Sequence, residues 1–279
     1  MIKRITRENL DLDKYTDCLN KAINYRIYAE FWYLDIVTKN RWDCYVYNDY
    51  EAIMPVPFIK KMGLKIISQP IYCQQLGVFH QENFKKNQFD DFLNKLRFRL
   101  VNGYHFNEEN TINFNPKGQK LVNQSLKINS NNYANYSKMT KRNVKRFNQE
   151  NLQLKANNNI SELIKFKQIH SNQNKYINLF EELLYELKKR NSLSILNVEN
   201  DSILGFTCYI LSKNRIIYLN SATTLDGKQK RVPTGLIDKI LNQNDEKILD
   251  FEGSSIPSIQ NFFKGFGAEI SYYTAYKNI

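Results

Sequence analysis

Apolar and polar positions alternate most legibly between Arg215 and Tyr276. RIIYLNSATT is apolar, β-branched and aromatic, and predicts a strand over 215–223. LDGKQKRV predicts a basic loop. PTGLIDKIL predicts a helix that opens at Pro233 and Thr234, a start signal. KILDF predicts a strand over 247–251, followed by a Gly/Ser turn. IPSIQNFFKGFG predicts a short helix, and AEISYYTAY a last strand. In an α/β sheet, ligands collect at the C-terminal ends of strands. The strand at 247–251 delivers Glu252, Gly253, Ser254 and Ser255 to that edge, and the strand before it places Tyr218 and Asn220 there.

Earlier in the chain, Ala29, Trp32, Tyr33 and Ile36 recur at helical spacing and predict a helix over 13–38, broken near Asn24. Residues 42–59 predict a hairpin turning at Asn48-Asp49. Pro55 and Pro57 alternate in its second arm and predict an edge or bulged strand. IISQPIYCQQLGVF predicts a strand bent at Pro70. In it, Gln74 and Gln75 are candidate hydrogen-bonding groups of a cleft, or a solvent-facing pair. Residues 82–100 predict an amphipathic helix with Phe89, Phe92, Leu93, Leu96 and Leu100 inward. Strands are predicted near Tyr104–Phe106 and Thr111–Phe114. Helices near 160–171 and 176–190 precede a strand near Leu193–Val198.

LNVENDSILGFTCYIL repeats the strand, Asn-Asp turn, strand pattern of YVYNDYEAIMPVPF. Asn48-Asp49 and Asn200-Asp201 lie 152 residues apart, about half the chain. A repeat of that period predicts two α/β domains with mixed sheets, over 1–125 and 126–279. The second opens with NYSKMTKRNVKRFNQENLQLKAN. Ser137 caps a predicted helix over 138–150. Lys138, Lys141, Arg142, Lys145 and Arg146 give it a nearly continuous basic face, with Glu150 as its one acid.

Charge sharpens the picture. The 279 residues carry a net charge of +12, which favours nucleic acid, a phosphorylated small molecule or an anionic membrane surface as partner; the abundance of lysine and asparagine throughout leaves a compositional bias as the alternative. No run approaches the ~18 apolar residues of a membrane span, and the N-terminus lacks a secretory h-region, so a cytoplasmic location is expected. The four cysteines form no CxxC and the three histidines are scattered, so no metal site is expected. There is no P-loop, GxGxxG or GxSxG in context, which disfavours kinases, dinucleotide oxidoreductases and α/β-hydrolases.

The run DFEGSSIPSIQNFFKGFGAE resembles the C-terminal signature of the Fem peptidyltransferases (FemABX), within the GNAT acyltransferase superfamily. The shared features are a strand ending in D-F-x-G, a short helix, then F-x-K-x-F-G before the last strand. The resemblance implies two tandem GNAT-like acyltransferase domains of bacterial type. It also implies transfer of an acyl or aminoacyl group to an amine of an anionic, cell-wall-precursor-like acceptor. No permanently bound cofactor is expected; acyl-CoA or aminoacyl-tRNA is the co-substrate. KQKRVPTG has only Gly235 where a GNAT pyrophosphate loop carries two glycines, which weighs against acyl-CoA, while the basic helix is compatible with tRNA.

Acyl transfer needs a placed electrophile, a deprotonated amine and a stabilised oxyanion. Glu252 is the candidate base. Lys264, between aromatics in FFKGFG, is the candidate cation, as the family motif also implies. Tyr218, Asn220 and Ser254 are candidate cleft residues. Lys230 and Arg231 add charge before a helix N-terminus suited to an anion, and Arg142 and Arg146 are candidate polyanion contacts. The alternative is a non-catalytic GNAT-fold protein that uses its basic face for nucleic acid or a phosphorylated ligand.

Overall fold

The computed structural model describes residues 1–171, 174–244 and 246–279. The chain divides into two compact units, Met1–Leu121 with Tyr272–Ile279, and Val122–Ser271. The expected division at 125/126 falls four residues after this boundary, and the last eight residues return to the first unit, because their strand pairs there.

In the first unit, β1 (Ile2–Thr6), β2 (Trp42–Tyr47), β3 (Ala52–Lys61) and β4 (Leu64–Ile67) form an antiparallel sheet in that order. β5 (Phe79–His80) pairs with the start of β3. The helices are α1 (Leu12–Lys21), α2 (Phe31–Thr38), α3 (Lys86–Arg97) and α4 (Glu108–Phe114). β6 (Tyr104–Phe106) pairs with the end of β13 (Glu269–Tyr276) through Thr274, Ala275 and Tyr276. The predicted helix over 13–38 is interrupted between α1 and α2, around the fully buried Asn24.

The arm with Pro55 and Pro57 is locally an edge, as expected: β4 pairs with residues 58–61 and β5 with 52–53, so the prolines fall where the second side of β3 has no ladder to break. Two other expectations fail here, each for a local reason. The strand expected over 66–79 ends at Ile67, since Tyr72 and Gly77 have φ of 60° and 133°, outside strand geometry. Thr111–Phe114 is helical. Asn107 accepts a bond from the Asn110 amide, Glu108 and Glu109 occupy the positive first turn, and these start signals outweigh β-branched Thr111 and Ile112.

In the second unit the strand order is β7-β12-β11-β10-β9-β8, where β7 (Gln119–Lys127) enters from the first unit. The others are β8 (Gln153–Ala156), β9 (Leu193–Asn200), β10 (Ser202–Leu211), β11 (Arg215–Thr223) and β12 (Ile248–Asp250). Only β11 and β12 are parallel. α6 (Lys138–Gln149), preceded by the short α5 (Asn132–Asn135), and α10 (Val232–Gln243) pack on one face. Their core includes Val144, Phe147, Leu236, Ile240 and, from the sheet, Val198 and Ile216. α7 (Ile160–His170) and α8 (Ile177–Lys189) pack against each other and against β11 and β9. α9 (Leu225–Gln229) replaces the expected basic loop, because the Thr224 hydroxyl accepts from the Gly227 amide and starts a turn. α11 (Pro257–Lys264) links β12 to β13.

Candidate functional site

β11 and β12 pair only at 215–217 against 248–250. Beyond Ile217 and Asp250 they part, and β11 runs on to Thr223 with no partner on that side among the described pairings. On its other edge Cys208 faces Asn220 and Tyr209 faces Tyr218, so Leu219 is an extra residue, a β-bulge. Bulges redirect side chains and free backbone amides, and they recur beside reactive sites. The parting therefore presents Tyr218, Leu219 and Asn220 on one wall and the turn after β12 on the other.

That turn is held by a buried carboxylate. Asp250 accepts from Arg215 Nη1 at 2.8 Å, from Asn123 Nδ2 at 3.1 Å and from the Glu252 amide at 3.0 Å. Glu252 is consequently left-handed, with φ 56°, and Gly253 follows at 61°. A Cβ on Gly253 would stand 2.4 Å from the Val122 carbonyl oxygen, so the turn is pressed onto β7. A glutamate in this region is strained, by roughly 1–3 kcal/mol, and is retained only where its surroundings fix it.

Aromatic rings close the inner end. Phe251 stacks on Phe263 with centroids 4.2 Å apart, and Tyr218 meets them edgewise at 5.9 and 6.0 Å. Burial pushes the Tyr218 hydroxyl above its usual range, with Ser221 and Thr207 pulling it partly back. It therefore stays protonated at neutral pH and can donate.

Tyr218 and Asn220 lie on β11 beyond its pairing with β12, and Glu252 and Ser254 follow the end of β12. Ser254 is half-buried, its Oγ accepting at 3.1 Å from the amide of Ile256, the N-cap residue of α11. Lys264 is exposed on the last turn of α11. Lys230 is paired with Asp226 at 2.9 Å. Arg231 is the left-handed N-cap of α10, and its buried Nε has no partner. Gly235 serves packing, since a Cβ there would meet the Phe147 ring at 2.3 Å. Arg142 and Arg146 are exposed on α6. Gln74 and Gln75 lie in the first unit. Gln75 is fully buried, accepting from the Glu108 amide at 3.1 Å and donating to Gln74 at 2.9 Å, which fixes the start of α4.

Sequence reasoning missed the Arg215–Asp250–Asn123 anchor and Lys167. Lys167, on α7, is 1% exposed and has no carboxylate partner among the described residues. It faces the Phe180 ring at 5.5 Å and the buried Cys208, and burial lowers its pKa. Asn197 and Asn220 each leave a buried Oδ1 without a partner. Cys208 itself is pushed up to about 12 by burial, an unreactive thiol.

No family model and no curated protein matches the sequence. Solved structures do match. FemX aligns with a TM-score of 0.67 at 8% identity, over 99% of this chain and 97% of that one. L-PGS from Bacillus licheniformis aligns at 0.60 and 11%, over 96% and 92%. A tandem GNAT protein from the clavulanic acid biosynthesis pathway aligns at 0.52 and 9%, over 99% and 98%. At such identities the likeness is one of fold: the chain has the mixed α/β architecture of two tandem GNAT-like domains.

Proposed function

We propose that the protein is an N-acyltransferase or aminoacyl-transferase of the Fem/GNAT type that acts at the parting of β11 and β12. The observation that carries the reading is the parting itself: β11 runs on past Ile217 without β12, with a bulge at Leu219 on its β10 edge, and β12 ends at the anchored, left-handed Glu252. An acyl carbonyl laid along β11 meets backbone amides that β12 leaves unladdered, which suit a developing oxyanion. Glu252 takes the proton from the attacking amine. Tyr218, protonated at neutral pH, gives one to the leaving thiolate of a thioester or alkoxide of an ester. The acceptor is an amine on an anionic molecule of the cell-wall-precursor class, in keeping with the net charge of +12. Aminoacyl-tRNA is favoured over acyl-CoA as donor, because Gly235 is a packing residue and KQKRVPTG holds no second glycine.

The test is a thermal-shift titration with acetyl-CoA, a longer acyl-CoA and aminoacyl-tRNA, followed by turnover with amine acceptors. Stabilisation by one donor class, and loss of ~10²–10⁴ in rate in Glu252→Gln, are expected. Turnover that survives Glu252→Gln defeats the assignment of the base. Binding to nucleic acid alone, with steep salt dependence and no acyl donor, makes the protein a non-catalytic binder instead.

A further inference from the structure

Helices elsewhere on this chain neutralise their own charge. Lys21 pairs with Asp17, Lys86 with Asp90, Arg190 with Glu186 and Lys230 with Asp226, each four residues apart. α6 does not. It carries Lys138, Lys141, Arg142, Lys145 and Arg146 within 12 residues and no acid. Thr140, Val144 and Phe147 are its buried side, so at 100° per residue the cations occupy the outer face. None of the five forms an ion pair among the described residues. Lys141 alone is engaged, donating to the Ala134 carbonyl at 3.0 Å and lying over the Tyr133 ring at 5.5 Å. Exposed Lys264 lies near the start of α6, since the carbonyl of the next residue, Gly265, accepts from the Ser137 amide at 2.8 Å.

Apolar groups flank the charge. Met139 is 65% exposed in the first turn of α6, and Tyr133 is 48% exposed beside Lys141. A single exposed apolar side chain is ordinary, but here two flank an unpaired cationic face. Nucleic-acid phosphates would engage the cations, and an unstacked base would meet Tyr133 rather than the Met139 thioether. The interface of an anionic bilayer offers both: phosphate headgroups for the cations, and a shallow apolar layer for methionine and tyrosine.

We infer that the outer face of α6, with Lys264, Met139 and Tyr133, is a docking surface for an anionic phospholipid bilayer. The charge complementarity commits it to that partner. This inference does not depend on the proposed reaction, because its readout is binding and not turnover.

The experiment is co-sedimentation of the full chain with vesicles of phosphatidylcholine alone and with 30% phosphatidylglycerol, at low and at physiological salt. Binding is expected only to the anionic vesicles and is weakened by salt. Lys138→Gln/Arg142→Gln/Lys145→Gln should weaken it about 10²-fold, at roughly fivefold per charge. These positions are exposed, so folding is not at stake. Met139→Gln should weaken binding further without altering charge. A parallel tRNA titration separates the partners. No binding to anionic vesicles at low salt overturns the inference. So does vesicle binding that the triple variant leaves intact, or tRNA binding tighter than vesicle binding with no effect of Met139→Gln on either.

Discussion

Replacing Lys167 by methionine should stabilise the protein. The amine is 1% exposed, has no carboxylate beside it and sits over the Phe180 ring. Leaving a polar group buried without a full partner costs roughly 1–3 kcal/mol in mutational series. Methionine keeps the stem's packing and fills the site without a donor. The expected gain is therefore ~1–2 kcal/mol at neutral pH, or ~2–6 °C in Tm for a domain of this size. The pH dependence carries the sign. Burial lowers the folded pKa below the unfolded value of 10.5, so between the two the unfolded chain binds the extra proton. Stability of the native protein rises with pH across that window, by up to ~1.4 kcal/mol per unit, and falls as pH drops through it. Urea unfolding of both forms at pH 7 and pH 9.5 reads this out. The advantage of Lys167→Met should shrink at the higher pH. A variant less stable than the parent at pH 7, or a difference constant with pH, would refute the reasoning and show that the amine is stabilised in place.

Further outcomes follow from the second unit. Asp250→Ala removes the buried carboxylate that Arg215, Asn123 and the Glu252 amide share and should cost ~3–5 kcal/mol in urea unfolding. Gly235→Ala drives a methyl into the Phe147 ring and should cost ~1–3 kcal/mol, partly restored when Phe147→Leu is added. Ser137→Ala removes the cap bond to the Thr140 amide and should lower stability by ~1 kcal/mol in the same assay. If Tyr218 is the proton donor, kcat/KM holds through pH 10, because burial raises the hydroxyl above its usual 10.0, and Tyr218→Phe removes the alkaline fall above that.

What the sequence disclosed was periodic and local. Ser137 capping α6, the Asn200-Asp201 turn between β9 and β10, and the end of β12 just before Glu252 all follow from short-range signals. What it concealed was assembled at a distance. Asp250 meets Asn123 and Arg215 from positions 127 and 35 residues away, and no spacing rule links them. Lys167 reads as one more lysine in a charged helix until the sheet beneath it is known. Gln75 looked like a cleft residue because a polar side chain in an apolar run draws attention. It is instead consumed by the Glu108 amide, a partner that appears only once 108–114 is seen to be a helix.

The last strand has a consequence for how the chain is made. β6 finds its partner in Thr274 to Tyr276, and Val101 is bonded by Asn278, so the first unit is interrupted in sequence by the whole of the second. On a ribosome moving at ~5–20 residues per second, Tyr104–Phe106 waits on the order of 10–30 s for its complement to be synthesised. Through that time most of the second unit emerges while the first still has an open strand edge, exposed to mispairing with other nascent chains. The domain that starts first thus cannot close until Tyr276 has emerged.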